Sequence, residues 1–451
     1  MADMIAFAQL RSRLGDFWWY TALQFGAARC GDFINAFIGL WLVPKYVGMA
    51  ELGAVLPLAY FATFLAMPIA VFSTALGKQV NVLAAHGQWG QLKTLLRGVF
   101  VVAAIFVVFA LLTVQLVMPV VLERVRVAKG ALGLVIVAAS LLGTVAPIYL
   151  NALQATKRFV AVSVINLFCA PIRLAVMLIA MPIRALTGYF VGQSSAPAFQ
   201  IAACVFAFRK ELGRSVQAEP FWTKAKVREM FGYMLWVAIA MAVGGLVQFV
   251  EPLVIRQRLS DVDSAAYYMI SRFAEIGTYL GLTLSTIVFP YVSEAAEAGR
   301  TGNRLIVRSM VGSLAFGGVC AVGFGLFGCF VFAFLPNGDA YGKYIPELVA
   351  LTLILSAGIA VGCFTSGETA ASRFKWLGWF VPLHVVYVVT LFVLTGHGYL
   401  QGFLPASICE AIASVNACRL DFLLRLMGCF AAVKLLCVAM QLFMRRKQKR
   451  Q

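Results

Sequence analysis

The sequence is poor in charge and in the residues that bind metals. Of its 451 residues only 12% are charged, about half the share usual for soluble proteins. It contains three histidines, and its ten cysteines lie singly in or beside apolar stretches, without a Cys-x-x-Cys pair or a histidine at ligand spacing. The scarcity of charge excludes a soluble globular protein, and the cysteine pattern argues against a metal site. We expect neither a metal nor a cofactor.

Long apolar segments are abundant instead, and hydrophobic residues make up 62% of the chain. About 20 apolar residues cross the roughly 30 Å hydrocarbon core as a helix. The first segment is too long for a signal-peptide core and carries charge at its centre, so we interpret it as a retained span. The sequence predicts an all-α integral membrane protein with no soluble domain between its spans. The predicted spans are 17–44, 51–76, 97–121, 131–153, 159–181, 184–208, 230–255, 264–290, 309–335, 344–366, 376–396 and 398–419.

The formal net charge of +18 could suggest nucleic acid, but the basic residues lie in short loops, where they report topology. With the N-terminus on the cytoplasmic side, the inner loops up to residue 397 hold 18 Lys and Arg and the outer loops hold eight. Only the loop from Arg124 to Lys129 runs clearly against this bias. We therefore expect a cytoplasmic N-terminus and no nucleic-acid partner.

The two halves of the chain repeat each other. Four short matches occur in the same order at nearly constant offset, and an even number of spans per repeat gives both halves the same orientation. The sequence thus predicts two six-helix bundles related by a pseudo-two-fold axis along the membrane normal. The matches pair 87–91 with 299–303, Glu51 with Asp263, 155–159 with 370–374, and 188–196 with 398–406. The predicted domains are 1–208, a basic cytoplasmic linker 209–229, 230–420, and a hydrophobic helix with a basic tail 421–451.

The apolar segment 427–444 leaves the number of spans open. If it is a thirteenth span, the basic tail from Arg445 to Arg450 lies outside, against the charge rule. An interfacial or re-entrant helix would keep the tail inside. A twelfth span at 421–444, in place of 398–419, would do the same.

Three arginines interrupt the apolar spans. From the helical rise, Arg29, Arg173 and Arg272 lie about 18, 21 and 18 Å from the inner edge of their helices. A charge at mid-membrane is costly, so such residues usually face a polar cavity or a partner. We expect the three to share one layer of the membrane.

The planar fork of arginine matches phosphate and carboxylate groups. A ring of arginines in a water-filled cavity would hold an anionic head group. The alternative is that Asp32 neutralises Arg29 and Glu275 neutralises Arg272, since both pairs have i, i+3 spacing. Glu251 allows either a rim or a cavity position, and His384 is expected to be packed in the interior. The predicted substrate-binding residues are Gln24, Arg29, Asp32, Asn35, Arg173, Gln248, Arg272 and Glu275, with no catalytic or metal residue.

Several motifs carry a family resemblance. They are Ala84-Ala-His-Gly87-Gln-Trp-Gly90, Phe289-Pro290-Tyr-Val-Ser293-Glu294, and the Gly-Tyr-x-x-Gly sequences at 188–192 and 398–402. With the two six-helix lobes, they make the chain resemble the multidrug/oligosaccharidyl-lipid/polysaccharide exporter superfamily, and within it the O-antigen type of polysaccharide flippase. The resemblance implies alternating access, a location in the bacterial cytoplasmic membrane, and a cationic central cavity. It also implies that Arg29 and Arg272 lie where related flippases place cavity arginines.

The leading hypothesis is therefore a flippase for a lipid-linked oligosaccharide of the undecaprenyl-pyrophosphate type. The alternative is a proton- or sodium-coupled multidrug exporter of the multidrug and toxin extrusion type, in which Asp32 binds the coupling ion. A membrane enzyme is disfavoured because the outer loops hold only a few residues. We expect a monomer whose partners are an anionic lipid-linked glycan and membrane lipids.

Overall fold

The structure is a computed structural model. It describes residues 26–27, 29–85, 87–127, 132–155, 158–213, 219–279, 281–282, 284–285, 288, 292, 302–336, 338–371, 373–394 and 420–448. Within these ranges the chain forms helices joined by short turns, and no strand occurs.

The first helix, α1, runs through residues 29–37, a π-helical turn at Ile38–Leu42 and a last turn at Val43–Tyr46. The helices that follow are α2 (Met49–Leu65), α3 (Met67–Ala85), α4 (Trp89–Arg124), α5 (Leu132–Ala155), α6 (Phe159–Ala180), α7 (Ala185–Gly213), α8 (Lys224–Arg258), α9 (Asp261–Ile276), α10 (Asn303–Ala333), α11 (Ile345–Ala370), α12 (Leu377–Leu394) and α13 (Leu420–Gln448).

Seven of the described helices are long and apolar enough to cross a membrane, and Met49–Leu65 and Leu377–Val393 are shorter apolar helices. Their outward faces are apolar as well: on α10, Val319 and Leu326 are 71% and 72% exposed. Such surfaces suit lipid and are too large for a monomer in water. The predicted class, an all-α multi-pass membrane protein, is confirmed.

The chain divides into two compact units. Unit 1 comprises residues 1–38, 61–123 and 128–238, and unit 2 comprises 39–60, 124–127 and 239–451. The predicted domain boundaries stay a prediction. Within the predicted linker 209–229, α7 continues to Gly213 and α8 already begins at Lys224.

Glycine allows close helix contacts inside each unit. In unit 1 a Cβ on Gly192 would lie 2.2 Å from Cγ of Met177, so α6 and α7 approach closely there. In unit 2 a Cβ on Gly317 would lie 1.9 Å from Oγ of Ser356, which brings α10 against α11. Small residues at such crossings are typical of membrane helices, whose association depends on close packing.

Two glycines with a left-handed backbone stand shortly before helices. Gly87 has φ 67° just before α4, and Gly302 has φ 60° just before α10. Glycine adopts this conformation without the penalty that a Cβ brings. Gly87 and Gly302 are 215 residues apart, and the predicted match of Gly90 with Gly302, at an offset of 212, stays a prediction. The separation of 215 residues is also the offset of the match between 155–159 and 370–374.

The direction of α13 is fixed by its neighbours in unit 2. Gly428 faces Ile354 of α11, and Val438 packs in one cluster with Ala360, so these two helices are parallel. Against α12 the order is reversed: Trp379 Nε1 donates to Oε1 of Gln441 at 2.8 Å, while His384 contacts Phe430. The two ends Leu394 and Leu420 consequently lie at the same end of unit 2.

The basic end of α13 lies at the end of unit 2 where α11 finishes, near Arg373 and Lys375. This arrangement fits the alternative in which 421–444 is the twelfth span and the tail stays with the basic inner loops. The competing span, 398–419, lies outside the described residues.

Candidate functional site

In unit 1 the polar residues of α1 face α6. Nη2 of Arg29 lies 3.1 Å from Oδ2 of Asp32, which is the predicted i, i+3 ion pair. One turn further on, Oδ1 of Asn35 accepts a hydrogen bond of 2.8 Å from Nη1 of Arg173. Gly31 faces α6 at the same level, where a Cβ would stand 3.8 Å from Cβ of Ala170, an ordinary van der Waals distance.

This group differs from a closed structural ion pair in two ways. The side chains of Arg29 and Asp32 remain 34% and 32% exposed. Arg173 is held by a neutral amide, and within the described part of the chain it forms no ion pair with a carboxylate. Among the described residues, this group contains the guanidinium groups of Arg29 and Arg173 and the carboxylate of Asp32, which pairs with Arg29.

A polar face of α7 extends the cluster. Gln200 Nε2 donates to Oδ1 of Asn166 on α6 at 3.1 Å, and Gln193 Nε2 donates to the Tyr189 hydroxyl at 2.9 Å. Gln193 and Gln200 are seven residues apart and so lie on the same helix face. The sequence interpretation missed this face, although the run Gly192-Gln-Ser-Ser195 inside an otherwise apolar span signals it.

In unit 2 the second half of α1 packs against α9. Nη1 of Arg272 lies 2.8 Å from Oε2 of Glu275, so the second predicted ion pair is also formed. The guanidinium stands 5.4 Å from the ring of Tyr268, whose hydroxyl donates to the Gly39 carbonyl at 3.1 Å. Gly39 belongs to the π-helical turn, and such turns are frequent at functional sites.

The remaining predicted site residues are less informative. Gln248 is exposed on α8. Gln24 lies outside the described residues. The common layer of Arg29, Arg173 and Arg272 stays a prediction, since the first two belong to unit 1 and the third to unit 2.

Glu251 lies against α12 and α13 inside unit 2. Its Oε1 accepts a hydrogen bond of 2.8 Å from the Tyr387 hydroxyl, and the Tyr387 ring stacks on Phe430 at 3.9 Å. Nζ of Lys434 stands 4.1 Å from the centroid of the Phe430 ring on the same helix. The predicted packed position of His384 is confirmed, because its side chain is 3% exposed. The sequence leaves the position of Glu251 open between rim and cavity and does not predict its contact with Tyr387, because these residues come from separate helices.

Another arginine ties loops together in unit 2. Arg256 is 1% exposed and donates to the carbonyl of Val125 at 3.0 Å and to that of Ala50 at 2.5 Å. Its Nη1 also lies 2.7 Å from Oδ1 of Asp261, which Arg126 contacts at 3.3 Å. The loop that runs against the charge bias is thus partly neutralised by Asp261.

No group of three or more His, Cys, Asp or Glu side chains in the described residues could hold a metal ion. In each unit, the polar side chains described above lie on apolar helices and form hydrogen bonds or ion pairs. Side chains of this kind can bind a charged group of a ligand and hold it in one orientation.

These helices, with charged side chains inside apolar segments, define a polytopic membrane protein. The fold is similar to that of a MATE-family multidrug resistance transporter of the MOP superfamily in its inward-facing conformation, with a TM-score of 0.59 and 11% identity over 92% of this chain and 96% of the other. It is also similar to the D35N mutant of the Vibrio cholerae MATE transporter VcmN, with a TM-score of 0.62 and 14% identity over 94% of this chain and 98% of the other.

The lipid II flippase MurJ in an inward closed conformation has a similar fold as well, with a TM-score of 0.56 and 13% identity over 93% of this chain and 91% of the other. No protein-family model matches the sequence, and no curated protein matches it. At these identities the likeness concerns the fold alone.

Proposed function

We propose that this protein is a flippase that moves an anionic lipid-linked oligosaccharide, of the undecaprenyl-pyrophosphate type, across the bacterial cytoplasmic membrane by alternating access. The observation that carries the proposal is Arg173, whose guanidinium is oriented by the Asn35 amide beside the Arg29–Asp32 pair. An arginine fixed by a neutral partner keeps its charge for a ligand, and its fork suits a pyrophosphate.

Arg272 contributes similarly in unit 2. It is paired with Glu275, yet its side chain is 22% exposed, and Tyr268 and Gly39 limit where its guanidinium can stand. In this proposal Arg29, Arg173 and Arg272 bind the anionic head group, while Asn35 is a positioning residue. Transport by a monomer, with the N-terminus in the cytoplasm, completes the proposal.

The first test is transport of a fluorescent pyrophosphate-linked oligosaccharide in proteoliposomes. Charge-assisted hydrogen bonds are strong, so we expect Arg173→Gln to weaken substrate binding by about tenfold or more. Arg184→Gln is the matched control, because Arg184 is an exposed arginine of the turn between α6 and α7. Equal transport by the two variants would contradict the proposal.

The second test is made in cells. Arg29→Ala and Arg272→Ala should each abolish surface polysaccharide while the protein level is kept. Asn35→Leu should reduce the affinity for the substrate more than the maximal rate, because it frees the Arg173 side chain without removing its charge. Normal polymer in both arginine variants would refute the assignment.

A second candidate is supported by Asp32, a partly exposed carboxylate in the membrane, and by the MATE transporters among the fold neighbours. In that case the protein is a proton- or sodium-coupled exporter of organic cations, and Asp32 binds the coupling ion. Ethidium efflux from loaded vesicles that is lost in Asp32→Asn would favour this candidate. Efflux should be absent if the flippase proposal holds, since organic cations are repelled by the arginines.

A further inference from the structure

A groove of about 470 Å³ runs between α11 and α13 within unit 2. At one end it is charged, and the residues there are Glu347, Asp421 and Arg425. The rest of its lining is apolar. Small residues keep it open, among them Ala350 on α11 and Gly428 on α13.

The groove has the depth of one membrane leaflet. From Pro346 to Ala357 the helical rise gives about 16 Å, close to half of the roughly 30 Å hydrocarbon core. Because α11 and α13 are parallel, both helices begin at the charged end. The groove therefore has a charged mouth where the spans start and an apolar shaft inside the membrane.

Two carboxylate oxygens at the mouth are buried without a hydrogen bond. Oε2 of Glu347 and Oδ1 of Asp421 have no partner among the residues that the structure describes. Acidic residues in the first turn of a helix offset the helix dipole, which accounts for carboxylates at these positions. The dipole does not account for two buried acceptors that face one groove, since each such acceptor is costly unless a donor reaches it.

Arg425 supplies the opposite charge. Its Nη2 lies 3.6 Å from Oδ2 of Asp421, and its side chain is 81% exposed. Ion pairs this open contribute little, so the guanidinium can turn to another anion. The mouth thus offers two hydrogen-bond acceptors for an ammonium group beside one donor fork for a phosphate.

We propose that this groove binds one molecule of a zwitterionic aminophospholipid, with its ammonium on Glu347 and Asp421, its phosphate on Arg425, and one acyl chain in the shaft. In phosphoethanolamine the phosphate lies next to the acyl chains and the ammonium group lies beyond it. This order matches the mouth, where Arg425 is one turn closer to the shaft than Asp421. A choline head group has no N–H donor, and a glycerol head group has no cation. The binding goes beyond the proposed transport function and does not depend on it.

The test is native mass spectrometry of the full-length, delipidated protein titrated with phosphatidylethanolamine, phosphatidylcholine and phosphatidylglycerol of the same acyl chains. We expect phosphatidylethanolamine to bind about tenfold more tightly than the other two, as the loss of charge-assisted hydrogen bonds predicts. The double variant Glu347→Gln, Asp421→Asn should remove this preference. Equal binding of all three lipids to the wild-type protein would overturn the proposal, and so would a preference that the double variant keeps.

A second pair of variants tests the shaft independently of the charges. A Cβ on Gly428 would stand 3.8 Å from Cδ1 of Ile354, so Gly428→Ala fits and should leave lipid binding unchanged. Gly428→Leu fills the groove and should abolish the bound lipid while the protein stays monodisperse. Undiminished binding in Gly428→Leu, or no binding of any of the three lipids to the wild-type protein because another part of the chain fills the groove, would overturn the proposal. Transport need not be measured, so this outcome is separable from the fate of the flippase proposal.

Discussion

The side chain of Arg272 passes directly over Gly39, with its Cδ 3.1 Å from the position that a Cβ on Gly39 would take. Nη1 of the same arginine is tied to Glu275 at 2.8 Å. The backbone of the π-helical turn therefore limits where this guanidinium can stand. Within unit 2, the position of the charge is set from both sides.

Gly39→Ala should disturb this arrangement. The new methyl group pushes Arg272 off its rotamer, at a cost of about 0.5–1.5 kcal/mol. The matched control is Gly318→Ala on α10, where a Cβ meets nothing within 4 Å. We expect the Gly39 variant to be less stable than the control by about that amount, in unfolding followed in mixed micelles, and to transport more slowly. Identical stability and transport in the two variants would show that the contact is unimportant.

Arg256→Ala should be strongly destabilising. The buried guanidinium satisfies the carbonyls of Val125 and Ala50 and pairs with Asp261. Its removal leaves the two carbonyl oxygens without their donor, at a cost of about 1–3 kcal/mol each. Denaturant titration of the purified protein measures this loss. Arg126→Ala is the comparison, because it removes the exposed contact to the same Asp261 and should cost about 1 kcal/mol or less. Similar losses in both variants would count against a structural role for burial at Arg256.

Tyr387→Phe should destabilise unit 2 by about 1–3 kcal/mol, because it leaves a carboxylate oxygen of Glu251 without its donor. The stacking on Phe430 is kept, so the effect isolates the hydroxyl group. Glu251→Gln provides the control: its amide oxygen still accepts from Tyr387, and the loss should be smaller. Thermal unfolding of both variants measures the difference, and a larger loss in Glu251→Gln would contradict this account.

The direction of α13 predicts where the basic tail lies. Because α13 is parallel to α11, a reporter fused after residue 451 should report the same side of the membrane as a reporter fused after residue 375. The charge bias of the loops makes this the cytoplasmic side. Paired fusions of a fluorescent protein that matures only in the cytoplasm measure it. If the two fusions report opposite sides of the membrane, α13 is a thirteenth span and the basic tail lies outside.

The local features of the candidate site could be predicted from the sequence. Both ion pairs, Arg29 with Asp32 and Arg272 with Glu275, follow from helix geometry, which places residues three apart side by side. The buried charges themselves identify the helices that contain polar clusters, because an isolated charge in lipid is costly.

The contacts between helices could not be predicted. The hydrogen bond from Arg173 to Asn35 depends on the rotation and depth of α6 and α1. The two residues are 138 positions apart in the sequence. The same holds for Glu251 with Tyr387. It also holds for Arg256, which is one of the eight outer-loop Lys and Arg counted from the sequence and is buried in the structure. Hydropathy places a residue in a span but does not fix its azimuth, and the partner of a side chain is decided by azimuth.

The anchoring of the chain just before α8 has a consequence for its register. Phe221 is fully buried and Trp222 lies against Gly98, where a Cβ would come within 2.8 Å of the indole nitrogen. A single residue inserted after Thr223 would turn α8 by about 100° relative to this aromatic clamp. Val237, now 4% exposed, would then rotate out of the interior of unit 1. The rotational orientation of α8 in unit 1 therefore depends on the number of residues between its start and these two aromatic side chains.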